Sequence, residues 1–134
     1  MHESVALVLT LPDGEHVLQR RDEDAPSARG MLAFFGGGVE EFDLCRHHAA
    51  AREQDEEINK EFDLEYVGYF LYLSHRTENK PILCINVYKG EVDEVPAVNE
   101  GTAEVVDLSE LSGRVDIATS SEAILARMKG NTWH

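Results

Sequence analysis

The chain is short of three things: basic residues, cysteine and long apolar runs. Against 26 Asp and Glu stand only 12 Lys and Arg, a formal charge of −14 over 134 residues. A protein that tracks a nucleic-acid polymer carries a basic stripe, and none is visible, so that partner is set aside. A small phosphorylated substrate remains compatible where metal ions neutralise the contact, and much of the acidity is expected on a solvated surface. The two cysteines, Cys45 and Cys84, are too few for a disulfide framework and are expected as buried free thiols. No CxxC or Cys–His spacing suggests zinc. No apolar run approaches the ~20 residues that span a bilayer. The opening residues, MHESVALVLTLPDGEH, lack a basic region and a small-residue cleavage site. The expectation is a cytoplasmic protein with no membrane partner.

What is present is ordinary for a globular chain: 43% hydrophobic residues, enough for one compact domain over 1–134 with a real core. Residues 4–11 (SVALVLTL) read as a strand, Pro12-Asp13-Gly14 as a turn, and HVLQR at 16–20 as the next strand. A polar loop over 22–30 leads to a short apolar piece at 31–35. Further strands are expected at 64–74, 82–88 and 103–108, with a short helical start at 109–111. Thr119 with Glu122 forms a capping box for a last helix over 120–129, stopped by Gly130. Apolar runs several residues long argue for a sheet covered on both faces. The expected fold is α/β (α+β): an α/β/α sandwich around a central mixed sheet.

The chemistry concentrates in residues 36–57, GGGVEEFDLCRHHAAAREQDEE. Gly36, Gly37 and Gly38 permit positive φ and close backbone approach, as a ligand-cradling loop or a segment under a helix requires. A helix follows over about 44–58, with Asp43 as N-cap and Asn59 as a left-handed cap at its end. Glu53, Glu56 and Glu57, at i, i+3 and i+4, share one helix face, within about 40–60° of Glu53. At ~6 Å and an effective dielectric of ~20, each pair of carboxylates repels by roughly 3 kcal/mol. Splaying into water relieves this, and so does a divalent cation placed among them.

Gly36-Gly37-Gly38-Val39-Glu40 followed by Ala51-Arg52-Glu53-Gln54-Asp55-Glu56-Glu57 resembles the Nudix box, G-x5-E-x7-R-E-U-x-E-E-x-G-U, where U is a bulky apolar residue. The likeness covers most of the chain from Val5 to Leu111, including HVLQRR before the box and GTAEVVDLSEL after it. One alignment makes Gly38 the motif glycine and puts Leu44 where the first acid belongs. The preferred one makes Gly37 that glycine and Asp43 the acid, with one extra residue before Arg52. Gln54, Asn59 and Lys60 depart from the pattern's apolar, glycine and apolar positions.

The resemblance implies a divalent-metal-dependent pyrophosphohydrolase that cleaves a nucleoside diphosphate linked to another moiety. A Nudix-fold nucleotide-binding or regulatory domain with impaired catalysis is the alternative. By position, Glu53, Glu56 and Glu57 with the Gly37 carbonyl would hold Mg2+ or Mn2+, and Arg52 would brace the cluster. Gly38, Glu40 and Arg20 would meet substrate. The base would be Glu56 or Glu57, or a later acid, Glu100 or Glu104. Other readings stay open: Arg20 and Arg21 contact phosphate or pair with a local acid, and Tyr66, Tyr69 and Tyr72 fill the core or stack on a base. His75 is a loop residue or a substrate contact, His47 and His48 are poor joint ligands, and Trp133 is either disordered or a packing anchor, including across a homodimer. Substrate choice is expected in the loops at 22–30, 75–80 and 91–101.

Overall fold

The computed structural model describes residues 2–26, 28–60, 62–73, 82–111, 114–130 and 133. Seven strands form one mixed sheet: β1 (His2–Thr10), β2 (His16–Arg20), β3 (Leu32–Ala33), β4 (Phe35–Gly38), β5 (Glu65–Leu73), β6 (Ile82–Glu91) and β7 (Thr102–Val106). Helix α1 (Arg46–Glu57) and helix α2 (Thr119–Gly130) cover its two faces. The sandwich expected from the sequence is the observed architecture. The turn read over 75–80, with His75, lies outside the described residues.

Strand alternation builds both cores from the same segments. Along β1, Val5, Leu7 and Leu9 join Phe35, Ala49, Ala50 and Tyr88 on the α1 side. Ala6 and Val8 join Leu18, Phe34, Ile85, Val87, Ile124 and Leu125 on the α2 side. A strand buried on both faces has no polar positions to spare, which is why SVALVLTL reads as a continuous apolar run. Trp133 packs within this chain, its ring 6.1 Å from that of Phe70. Tyr72 donates to Thr119 Oγ1 at 2.9 Å, while Tyr69 is 38% exposed on the outer strand.

The sheet forks at β1. Its far edge runs parallel to β6 over its whole length, from His2↔Leu83 to Thr10↔Glu91. On the near edge β2 takes only Leu9 and Thr10, and β4 takes Ser4 to Leu7 antiparallel. The β3–β4 run therefore fills the gap where β1 and β2 diverge, with β3 held on Gln19 and Arg20. The three glycines are thus in a strand, not the expected loop.

Several local expectations are corrected. Helix α1 starts at Arg46 behind Cys45, which makes no side-chain cap, so Asp43 is free for another role. Cys45 is exposed at that helix start, and only Cys84 is buried. Asn59 is not left-handed: Ile58 turns extended (φ −126, ψ 128) and pairs with Val98, so the helix passes directly into a β-bridge. That exit needs no glycine. Gln54, at an apolar position of the motif, is buried and donates to the Lys60 and Phe62 carbonyls, tying down the chain after the helix. Thr119 is the first residue of α2, not its cap.

Leu7 is fully buried at the centre of the α1-side core. Leu7→Ala is expected to lower the unfolding free energy by about 2–5 kcal/mol in urea titrations.

Candidate active site

The site forms where α1 lies on β4. Gly36 sits opposite Ala6 with φ +145, and a Cβ there would stand 2.1 Å from the Val5 carbonyl oxygen. Only glycine fits that approach. Its N–H, facing the helix, donates to Glu57 Oε2 at 3.0 Å. One residue on, a Cβ at Gly37 would stand 2.4 Å from Glu53 Oε1. Bare backbone at Gly36 lets β4 close on β1, and at Gly37 it lets the Glu53 carboxylate lie on the strand beside Glu57. Both are buried, at 8% exposure for Glu53 and 4% for Glu57.

Arg52 organises the approach to them. Its Nε and Nη2 donate to the two oxygens of Asp43 at 2.9 and 3.0 Å, a bidentate fork shielded from solvent on the acid's side. The same guanidinium donates to the Gly38 carbonyl at 3.0 Å, Glu53 Oε1 at 3.1 Å and Glu56 Oε2 at 3.0 Å, and it lies over the Phe42 ring. Asp43 Oδ2 also accepts the Glu40 N–H at 2.8 Å, closing the turn before the helix. The choice between the two alignments follows: Asp43 meets Arg52, while Leu44 is 89% exposed. Glu40 contributes its backbone to this turn and leaves its carboxylate exposed.

The electrostatics separate the acids. The Arg52 hydrogen bonds hold Asp43 below the usual carboxylate range, and Asp43 in turn holds Arg52 above its ordinary value. Burial pushes Glu53 up, against the pull of Arg52. Burial also pushes Glu57 up to about 8, with the charge of Glu53 adding to it and the Gly36 N–H opposing it. Glu100 adds negative charge to both.

The sequence-derived candidates do not all converge. Glu53 and Glu57 come together on β4, with Glu100 near them. Glu56 is turned toward Arg52 and is 55% exposed along its side chain. Among the described residues no three His, Cys, Asp or Glu side chains are arranged to hold a metal ion. Glu104 is bonded to Arg20 at 2.8 Å, and Arg20 also bonds Asp116 at 3.0 Å and the Gly30 carbonyl. Arg20 is thus bonded to local acids. Its neighbour Arg21 is the arginine at the site: its charge lowers Glu57, and it lines a cavity of about 260 Å³ beside Gly36, Gly37 and Gly38. His2, Ser4, Phe34 and Ser120 share that wall. Tyr66 lies on the other side of α1, edge-on to His47 at 5.6 Å and beneath Arg46.

Two buried carboxylates with raised proton affinity make a pair of hard oxygen donors. That chemistry fits a hard divalent cation, which displaces the protons and supplies the missing positive charge.

Without a cation, Glu57 binds its proton more tightly folded than unfolded. Its contribution to stability is complete below its ordinary value near 4.5 and is lost as pH rises through about 8. Metal-free protein is expected to lose thermal stability between pH 5 and about 8, and Glu57→Gln to flatten that slope in melting curves.

No family model matches the chain, and no curated protein matches it in sequence. Solved structures do match. The MutT protein of Methanosarcina mazei Go1 superposes with a TM-score of 0.81 at 20% identity, covering 97% of this chain and 94% of that one. A MutT NUDIX hydrolase from Burkholderia pseudomallei gives 0.72 at 18%, covering 93% and 95%. The NUDIX domain of Shewanella oneidensis NrtR, solved with ADP ribose, gives 0.69 at 14%, covering 96% and 86%. The fold of this chain is the Nudix fold.

Proposed function

We propose that this chain is a Nudix hydrolase: a divalent-metal-dependent pyrophosphohydrolase that cleaves a nucleoside diphosphate linked to another moiety. The observation that carries the reading is the buried Glu53–Glu57 pair on β4: Glu57 accepts the Gly36 N–H, and Glu53 occupies the space a side chain at Gly37 would need. The ADP-ribose complex of the Shewanella domain supports a nucleotide-type substrate.

Glu53, Glu57 and the Gly37 carbonyl would hold Mg2+ or Mn2+, and Glu56 would join them on releasing its contact with Arg52. When bound, the cation neutralises the diphosphate and makes water more acidic for in-line attack on phosphorus. Arg52 keeps the helix face in place through Asp43 and the Gly38 carbonyl, so Glu56 can move without the cluster dispersing. Arg21 meets a phosphate oxygen at the cavity mouth, and the hydroxyls of Ser4 and Ser120 meet the attached moiety. Glu100 takes the proton of the attacking water on its carboxylate. Of the two later acids it is the one whose charge reaches Glu53 and Glu57, whereas Glu104 is engaged by Arg20.

The test is hydrolysis of a panel of nucleoside diphosphate derivatives with Mg2+ or Mn2+, read as the nucleoside monophosphate and the phosphorylated moiety formed. Glu57→Gln is expected to lose about 10²-fold or more in kcat, and Glu100→Gln a comparable amount. Glu104→Gln is expected to stay within about threefold, since an exposed ion pair contributes ~1 kcal/mol or less. Binding of nucleotides without turnover of any would instead make the chain a nucleotide-binding domain.

A further inference from the structure

Gln19 stands where the β2 pattern calls for an apolar residue. By alternation it shares the face of Val17, which is in the α1-side core, and it is only 2% exposed. Its backbone lies in the strand interior, paired with Ala33 on one side and Ala103 on the other. Its Nε2 donates to the Glu100 carbonyl at 3.0 Å, and its buried Oε1 has no partner among the described residues. A stranded acceptor is unfavourable, so the amide is retained for its donor.

That donor acts on a segment fixed from two other directions. The Asn99 N–H donates to the Glu57 carbonyl at 2.8 Å, and Asn99 Nδ2 to the Glu56 carbonyl at 3.0 Å. Beyond Glu100, the Gly101 N–H donates to Asp22 Oδ2 at 3.3 Å. Gly101 has φ +62, and a Cβ there would stand 2.3 Å from the Arg20 carbonyl oxygen, so glycine alone allows this approach. Between the two anchors, Gln19 holds the one carbonyl that belongs to Glu100 itself.

We propose that Gln19 is a positioning residue for the base: its buried amide fixes the backbone of Glu100 and so sets the carboxylate against the Glu53–Glu57 pair. The inference rests on the hydrolase reading and assigns Gln19 no contact with substrate or metal. It acts through Glu100 alone, which separates it from a general packing role.

The test compares wild type, Gln19→Met, Glu100→Gln and the double variant by kinetics, and wild type with Gln19→Met by amide hydrogen exchange. Gln19→Met is expected to lower kcat about tenfold or more with KM within about twofold. Its Gly101 amide is expected to exchange about tenfold faster, with Val87 in the core unchanged. The double variant should be no slower than Glu100→Gln, because both changes remove one function. Gln19→Glu keeps the size and donates only when protonated, so its kcat should fall toward high pH where that of the wild type does not; it also replaces Gln19→Met should that chain fail to fold. Wild-type exchange at Gly101 in Gln19→Met, or losses that multiply in the double variant, would overturn the positioning role. A wild-type protein that turns over no diphosphate would overturn the hydrolase reading, and the exchange result would still decide whether Gln19 holds the segment.

Discussion

Negative charge buried on a glycine strand is the constraint around which this molecule is arranged. Glu53 and Glu57 are both nearly out of solvent, and among the described residues the direct hydrogen bonds to them are few: the Gly36 N–H to Glu57 and one Arg52 nitrogen to Glu53. In a low-dielectric setting, ionising both with so little compensation opposes folding, and Glu57 keeps its proton up to about 8. The surrounding sandwich tolerates the pair because its own cores are continuous on both faces of the sheet. On the proposed reading, a divalent cation between them would supply the missing positive charge.

Two devices keep the pair in place. The first is steric. The fork between β1 and β2 admits β4, the bare Gly36 lets it lie flush against β1, and the bare Gly37 brings the Glu53 carboxylate onto the backbone. The second is the guanidinium of Arg52, gripped on one edge by Asp43 and reaching Gly38, Glu53 and Glu56 from the other. Asp43 lies outside the helix, so the fork fixes the loop, the strand and the helix with one side chain. Lysine, a single point charge, has no equivalent geometry.

The sequence made the large-scale architecture legible because its cues are periodic. Unbroken apolar strands signal a sheet covered on both sides, and the i, i+3, i+4 glutamates identify the helix face. What it left open depends on neighbours distant in the chain. Arg20 and Arg21 are indistinguishable as a dipeptide, and the positions of Glu104 and Asp116 show that Arg20 is engaged by those acids. Asp43 carries the residue type of a helix cap, yet Arg52, nine positions later, outbids the helix for it. Asn59 carries the type of a left-handed cap, and the bridge from Ile58 to Val98 removes the need for one. Gln54 and Gln19 are the instructive pair. Each is polar at an inward position, and each holds a carbonyl of a neighbouring segment. A buried glutamine within an apolar pattern is a signal readable without coordinates, although its partner is not.

The claim that Glu57 is a protonated acid awaiting a cation has a direct test in the protons released when Mn2+ is added at pH 7. With Glu57 raised to about 8, metal binding is expected to release about one proton per ion. In Glu57→Gln that release should vanish and the affinity should drop by more than tenfold. Binding of Mn2+ with no proton release, or equal binding by wild type and Glu57→Gln, would contradict it.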